Sequence, residues 1–177
     1  MAVYSIMLPD STILKRVAGL KSVLIVGCKG CINDSLAFGT DYPVGKVVVD
    51  KDIVEAVYLP TLIDEELKRL KKLLENNGMS VEIEIMNVLC EISFRTEPII
   101  SKLVKRCAEV NAILSVSCIL GTLALKKQLA KACKIASATK TLGIFQPTKF
   151  LDESNKFVYL DGNCSKIIRF RMKQHSS

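Results

Sequence analysis

Seven cysteines stand in this chain of 177 residues, and four of them share a setting. Cys28 and Cys31 form a Cys-x-x-Cys pair closing the apolar run Val23-Leu-Ile-Val-Gly-Cys28, Cys90 comes shortly after the alternating stretch from Val81 to Ile85, and Cys118 follows Ala112-Ile-Leu-Ser-Val-Ser117. Each follows a strand candidate or occupies the loop just beyond it. Three strand ends on one sheet edge would bring four thiols together, and four thiolates suffice for tetrahedral zinc or for the corner irons of a cubane cluster. Spacing does not choose between the two. The pair Cys28 and Cys31 also allows thiol–disulfide exchange, although neither a thioredoxin motif nor a helix directly flanking the pair is legible. The bland alternative is an isolated pair, with the remaining cysteines packed as small hydrophobes.

The other three cysteines divide by context. Cys107 and Cys133 fall on apolar faces of expected helices and read as packing residues. Cys164, after Asp161-Gly-Asn163, is the reserve ligand should Cys90 prove to lie away from the site. Competing chemistries have little support. Val26-Gly-Cys-Lys-Gly-Cys31 lacks the full glycine spacing of a dinucleotide fingerprint, and no phosphate loop of the Gly-x-x-x-x-Gly-Lys-Ser/Thr type occurs. The single histidine, His175, sits in a polar terminal stretch without an orienting partner. Asp34, Asp41, Glu91 and Glu97 approach the same edge without forming an acid and base pair, so no catalytic residue is identified.

The elements that must position these thiols follow from periodicity. Residues 10–20 suit a short helix, and Lys21 to Gly27 suits a buried strand because its apolar residues run consecutively. Residues 32–60 read as an insertion, with Lys46-Val-Val-Val49 a strand candidate among breakers at Gly39, Pro43, Gly45 and Pro60. Ile63, Leu67, Leu70 and Leu74 form one helical face, stopped by Asn76-Asn77-Gly78. Val81, Ile83 and Ile85 alternate with Glu82 and Glu84 as in a half-buried strand. Thr96-Glu-Pro98 opens a helix carrying Ile100, Leu103, Val104 and Cys107 on one face. Residues 122–133 resume helical character, and Leu142-Gly-Ile-Phe145 is a weaker strand signal.

Alternating strands and helices over residues 21–145 predict one α/β domain, three-layered and Rossmann-like with a mostly parallel sheet. Residues 146–177 read as a C-terminal extension with a strand pair, Phe157 to Leu160 and Ile167-Ile168, around a turn at Asp161-Gly162-Asn163. In parallel connectivity the segments after successive strands share an edge, where such folds place ligands.

Composition narrows the classes. Hydrophobic residues make up 49% and charged residues 24%, which excludes wholesale disorder. Cysteine is too sparse for a small disulfide scaffold. Residues 1–20 contain Pro9, Asp10, Lys15 and Arg16, so they supply neither a signal-peptide core nor a membrane span. A reducing cytoplasm is the simplest location. The net charge of +7 favours an anionic partner in encounter without identifying one. Lys166 to Lys173 alternates basic and apolar residues, which reads as an edge strand rather than a nucleic-acid stripe. Oligomeric state is not legible.

The motifs Ser22-Val-Leu-Ile-Val-Gly-Cys-Lys-Gly-Cys31, Cys90-Glu91 and Ala112-Ile-Leu-Ser-Val-Ser-Cys-Ile-Leu-Gly121 resemble the cysteine-rich C-terminal domain of methylenetetrahydrofolate reductase systems, also found as a small MetV-type companion protein. With Thr141-Leu-Gly-Ile-Phe145 the resemblance covers about residues 12–145. It implies an oxygen-sensitive [4Fe-4S] cluster held by Cys28, Cys31, Cys90 and Cys118, in a non-catalytic subunit that supports electron flow or assembly beside a flavin-containing reductase of one-carbon metabolism. Hydride transfer would belong to that partner. This chain departs from the pattern in placing Ile119-Leu120 between Cys118 and Gly121, and in having only Cys164 after residue 145. A structural zinc site in an interaction domain, or a dithiol redox protein using Cys28 and Cys31, remain the alternatives.

Overall fold

Consecutive apolar residues make a strand that must be covered on both faces, and in β2 (Ser22–Cys28) Val23, Leu24, Ile25 and Val26 are all fully enclosed. The computed structural model describes residues 2–50, 53–57, 62–90, 97–154 and 156–170, with 46–50, 53–57 and 97–99 described by their backbone alone. In it β2 pairs in parallel with β5 (Ser80–Met86) on one side and β6 (Ala112–Val116) on the other. Beyond β6 lies β7 (Lys134–Ser137), also parallel, so the four-stranded sheet runs β5-β2-β6-β7. Val23 stands opposite both Val81 and Ala112, a register that aligns the strand ends.

The crossovers are helical. α3 (Leu62–Glu75) buries Ile63, Leu67, Leu70 and Leu74, the face expected from their spacing, and packs on β2 and β5. It ends in Asn76-Asn77-Gly78, where Gly78 takes a φ of 80°. α4 (Glu97–Cys107) buries Leu103 and Cys107, while Val104 is exposed. Glu82 and Glu84, expected simply on a wet strand face, pair with Arg106, and Lys102 reaches Glu84 at 2.8 Å, so their carboxylates bind α4 to β5. α5 (Ile119–Leu129) begins three residues earlier than the sequence suggests and packs on α4, β6 and β7. The three-layer α/β architecture with a parallel sheet is therefore present.

Two further sheets are antiparallel. β1 (Ala2–Met7) and β11 (Lys166–Arg169) flank β8 (Thr139–Gln146), and β4 (Ile53–Val57), β3 (Gly45–Asp50), β10 (Phe157–Leu160) and β9 (Lys149–Leu151) form the other. Neither β1 nor β7 is expected from the sequence. β7 is four residues long, and its Lys-Ile-Ala-Ser carries neither an apolar–polar alternation nor a continuous apolar run. The C-terminal strands pair antiparallel as β9 with β10. The turn at 162–164 forms, but it carries the chain from β10 in one sheet to β11 in the other. β11 is an edge strand, as its basic residues suggest; Ile168 and Phe170, expected on its buried face, are 66% and 51% exposed. Arg171, Lys173 and His175 lie outside the described residues, as do Glu91 and Thr96.

α1 (Asp10–Arg16) supplies Ile13 to the main core, and α2 (Cys31–Ala37) rests on β1, β2 and α3. A second small core forms where Tyr4 of β1, Phe38 after α2 and Phe145 of β8 meet, Phe38 edge to face with both other rings and Tyr4 tilted against Phe145, with ring centroids 5.2–6.2 Å apart. That aromatic contact fixes α2, and with it Cys31, against the β1–β8 sheet. None of the described helices is long and apolar enough to cross a membrane.

Candidate thiol site at the sheet edge

Cys28 is the last residue of β2, and Cys118 lies two residues past β6. Cys31 opens α2, and Cys90 closes a single tight turn after β5. All four sit at the carboxyl edge of the parallel sheet because β2, β5 and β6 run in one direction and end together. The helix that follows Cys31 is a correction to the sequence reading, in which no helix flanks the pair; α2 is seven residues long and carries only a short apolar pattern.

Cys28 is buried and accepts hydrogen bonds at its sulfur from the backbone N–H groups of Gly30 and Leu89, both at 3.4 Å. Burial pushes its thiol upward, those two donors oppose the shift, and the neighbouring Cys31 and Cys90 add to it. Cys31 and Cys118 are hydrogen-bonded to each other. Cys31 is drawn down to about 6, first by that bond and then, against its burial, by the backbone of Val3 and of Cys31 itself. Cys118 moves the opposite way, raised first by its interaction with Cys31 and then by burial, while the backbone of Gly121 and Leu120 opposes the rise. The sulfurs thus sit among amide donors, a setting that favours thiolate.

A chain of hydroxyls joins the two halves of this edge. Ser35 accepts the N–H of Ser5 at 3.2 Å and lies 2.8 Å from the carbonyl of Cys31 and 3.3 Å from that of Val3. Ser5 meets Thr141 at 2.9 Å, and Thr141 accepts the N–H of Ile119, next to Cys118, at 3.0 Å. On the other side Ser115, Ser117 and Thr122 bond mutually at 2.8–3.2 Å, and Thr139 donates to the Ser117 carbonyl. These buried hydroxyls satisfy one another and hold the backbone on both sides of Cys118. Sequence reading singled out none of them, since isolated Ser and Thr carry no periodic signal.

One further group, Asn33, escaped it, whereas the sequence already puts Asp34 near this edge. Asn33 is fully buried, and neither its amide N nor its O finds a hydrogen-bond partner among the described residues. Asp34 pairs with Lys149 at 3.0 Å through one oxygen, and burial pushes its carboxyl upward. Lys29, between the paired cysteines, reaches Asp64 of α3 at 3.7 Å. Asp41 is exposed.

Cys164 is exposed in the β10–β11 turn, where Asp161 is its main neighbour. Cys90 is instead an electrostatic neighbour of Cys28. Cys107 and Cys133 lie at the opposite edge of the sheet, before β6 and β7. The four edge thiols suit a thiolate-bound metal or cluster in donor chemistry. Among the described residues, no three side chains of His, Cys, Asp or Glu stand at the spacing of an ion's ligands. No family model, curated protein or solved structure matches this chain.

Proposed function

We propose that this chain is a non-catalytic, metal-thiolate subunit of an oxidoreductase system, acting in the cytoplasm, with Cys28, Cys31, Cys90 and Cys118 holding a [4Fe-4S] cluster. The supporting observation is the convergence of thiols from three strand ends into a site lined by backbone N–H donors. Bound there, a cluster would supply one-electron transfer. The protein's own contributions are distinct from that chemistry. Gly30 and Leu89 stabilise negative charge on Cys28; Gly121 and Leu120 do so on Cys118. The hydroxyl chain through Ser35, Ser5 and Thr141 fixes the separation of the Cys31 and Cys118 loops.

The resemblance in the cysteine motifs directs the partner proposal to a flavin-containing reductase of methylenetetrahydrofolate metabolism. An apolar surface beside the site supports a protein partner: Ile119, Leu120 and Leu123 at the start of α5 are 45–51% exposed immediately after Cys118.

Anaerobic purification, with iron and sulfide analysis and a visible spectrum, tests the cluster. The expected result is iron and sulfide in matching amounts, lost when any one of the four cysteines is replaced by serine and retained in Cys164→Ser. Stoichiometric zinc without sulfide would move the assignment to a structural interaction domain. The second reading, dithiol exchange through Cys28 and Cys31, is favoured by α2 starting at Cys31 and by the low pKa of that thiol. It predicts disulfide-exchange turnover in metal-free protein that vanishes in Cys31→Ser.

A further inference from the structure

Cys107 ends α4 and Cys133 precedes β7, which places both at the amino edge of the parallel sheet, away from the four-thiol site. Both sequence positions read as packing residues; Cys107 lies in the main core and Cys133 packs against it. Their sulfurs, however, are 3.0 Å apart, inside van der Waals contact, with the Cys133 thiol donating to Cys107. Neither is bonded to the other. Only about 1 Å of approach separates this contact from a disulfide bond length. Their environments are unequal: Cys107 is 2% exposed, whereas Cys133 is partly exposed.

We propose that Cys107 and Cys133 are a reversible disulfide-forming site, oxidised by low-molecular-weight disulfides of the glutathione type. The more accessible Cys133 gives up its proton, and its thiolate attacks one sulfur of oxidised glutathione. The glutathione disulfide breaks, and one glutathione leaves and is protonated. Cys107 then gives up its proton, its sulfur attacks Cys133 in the mixed disulfide, and the second glutathione leaves as a thiol. Two electrons pass from the protein dithiol to the glutathione disulfide. Burial and the Cys133 contact push the Cys107 thiol up to about 12, which suits it to the second, intramolecular step rather than to the first attack. The bond would close residues 107–133 into a ring that contains β6, Cys118 and α5, so the redox state of this pair constrains the unit carrying one thiol of the opposite edge. The proposal does not depend on whether that edge binds a cluster.

The test uses the full chain, purified anaerobically, reduced, and equilibrated in mixtures of reduced and oxidised glutathione. After acid quenching and alkylation, cleavage following Lys, Arg and Glu separates Cys107-Ala-Glu109 from the peptide holding Cys118 and releases Ala132-Cys-Lys134. Those two peptides are expected linked, two hydrogens lighter than their sum, and separated again by dithiothreitol. In Cys107→Ser the mixed disulfide should persist on Cys133. In Cys133→Ser, Cys107 should take up glutathione about tenfold more slowly than Cys133 does in the other variant. Absence of the linked peptides in the wild-type chain at the most oxidising mixture would overturn the proposal, as would linkage of Cys133 to Cys118 in their place. Because the wild-type map decides the first point, misfolding of a variant leaves it testable.

Discussion

A thiol's chemistry is set by the few atoms that touch it, and Cys31 and Cys118 illustrate this within one hydrogen bond. The interaction with Cys118 draws the Cys31 thiol down to about 6, and the same interaction pushes the Cys118 thiol upward. Since a lowered pKa places the reactive form at lower pH, alkylation of Cys31 in metal-free protein should reach half its maximal rate near pH 6. Removing the partner thiol, in Cys118→Ala, should move that midpoint upward, which a pH series of labelling rates followed by peptide mapping would read. Gly121 is a second residue whose type is dictated locally. A methyl group there would meet Ser117 Oγ at 2.8 Å and Leu89 Cδ2 at 3.2 Å, both already held in buried contacts. Gly121→Ala is expected to cost about 1–3 kcal/mol in urea unfolding and to weaken metal retention through the displaced Ser117-Cys118 backbone.

Elements come together here through pairings that no single segment specifies. β8 joins the fold's two ends by pairing with β1 and β11, and a methyl group at Gly143 would collide with the backbone carbonyl of Ile168. Backbone cannot yield as a side chain does, so Gly143→Ala should detach β11 selectively. Hydrogen exchange should then show lost protection at residues 166–169, with β2 and β6 amides unchanged. α1 and α3 are joined by Arg69, which binds both oxygens of Asp10 at 2.8 and 2.9 Å and also Glu66 at 2.7 Å. These groups are nearly half exposed at Arg69 and Asp10, so solvent screening limits the gain, and Arg69→Ala should cost no more than about 1 kcal/mol. Asp10 is held below its ordinary value chiefly by its hydrogen bond to Arg69. Its contribution is therefore present above the unfolded-state pKa and lost as pH falls through the lower folded value. The stability difference between wild type and Arg69→Ala should shrink in acid, as paired urea titrations would show.

For the whole molecule, charge and apolar surface act on different steps of association. The net charge of +7 accelerates encounter with an acidic protein, and that acceleration falls with salt. In the proposed complex, affinity at contact would rest instead on the exposed apolar residues at the start of α5. For the proposed cluster-bearing complex, Leu123→Asp should weaken copurification of the flavoprotein by about tenfold or more while leaving iron content unchanged, because Leu123 is 51% exposed and is not itself among the amide donors to the sulfurs. Equal loss of iron would show that the α5 surface serves folding of the site rather than a partner.

The sequence by itself determined the elements whose signals are local. Ile63, Leu67, Leu70 and Leu74 repeat at helical spacing and are buried as one face; Val23 to Val26 run consecutively and form the central strand. Parallel alternation then implied that Cys28, Cys90 and Cys118 share an edge, because strands running together end together. Tertiary structure decided whatever depended on partners distant in the chain. β1 becomes a strand by pairing with residues 139–145, and β7 by extending the parallel sheet. The turn at 162–164 separates strands of two sheets rather than joining a hairpin. The hydroxyls of Ser5, Ser35 and Thr141 connect only when three elements meet, and Cys107 touches Cys133 across 26 residues of chain. Periodicity reports how one segment meets solvent and core, but it carries no information about which buried polar atom or sulfur will face which.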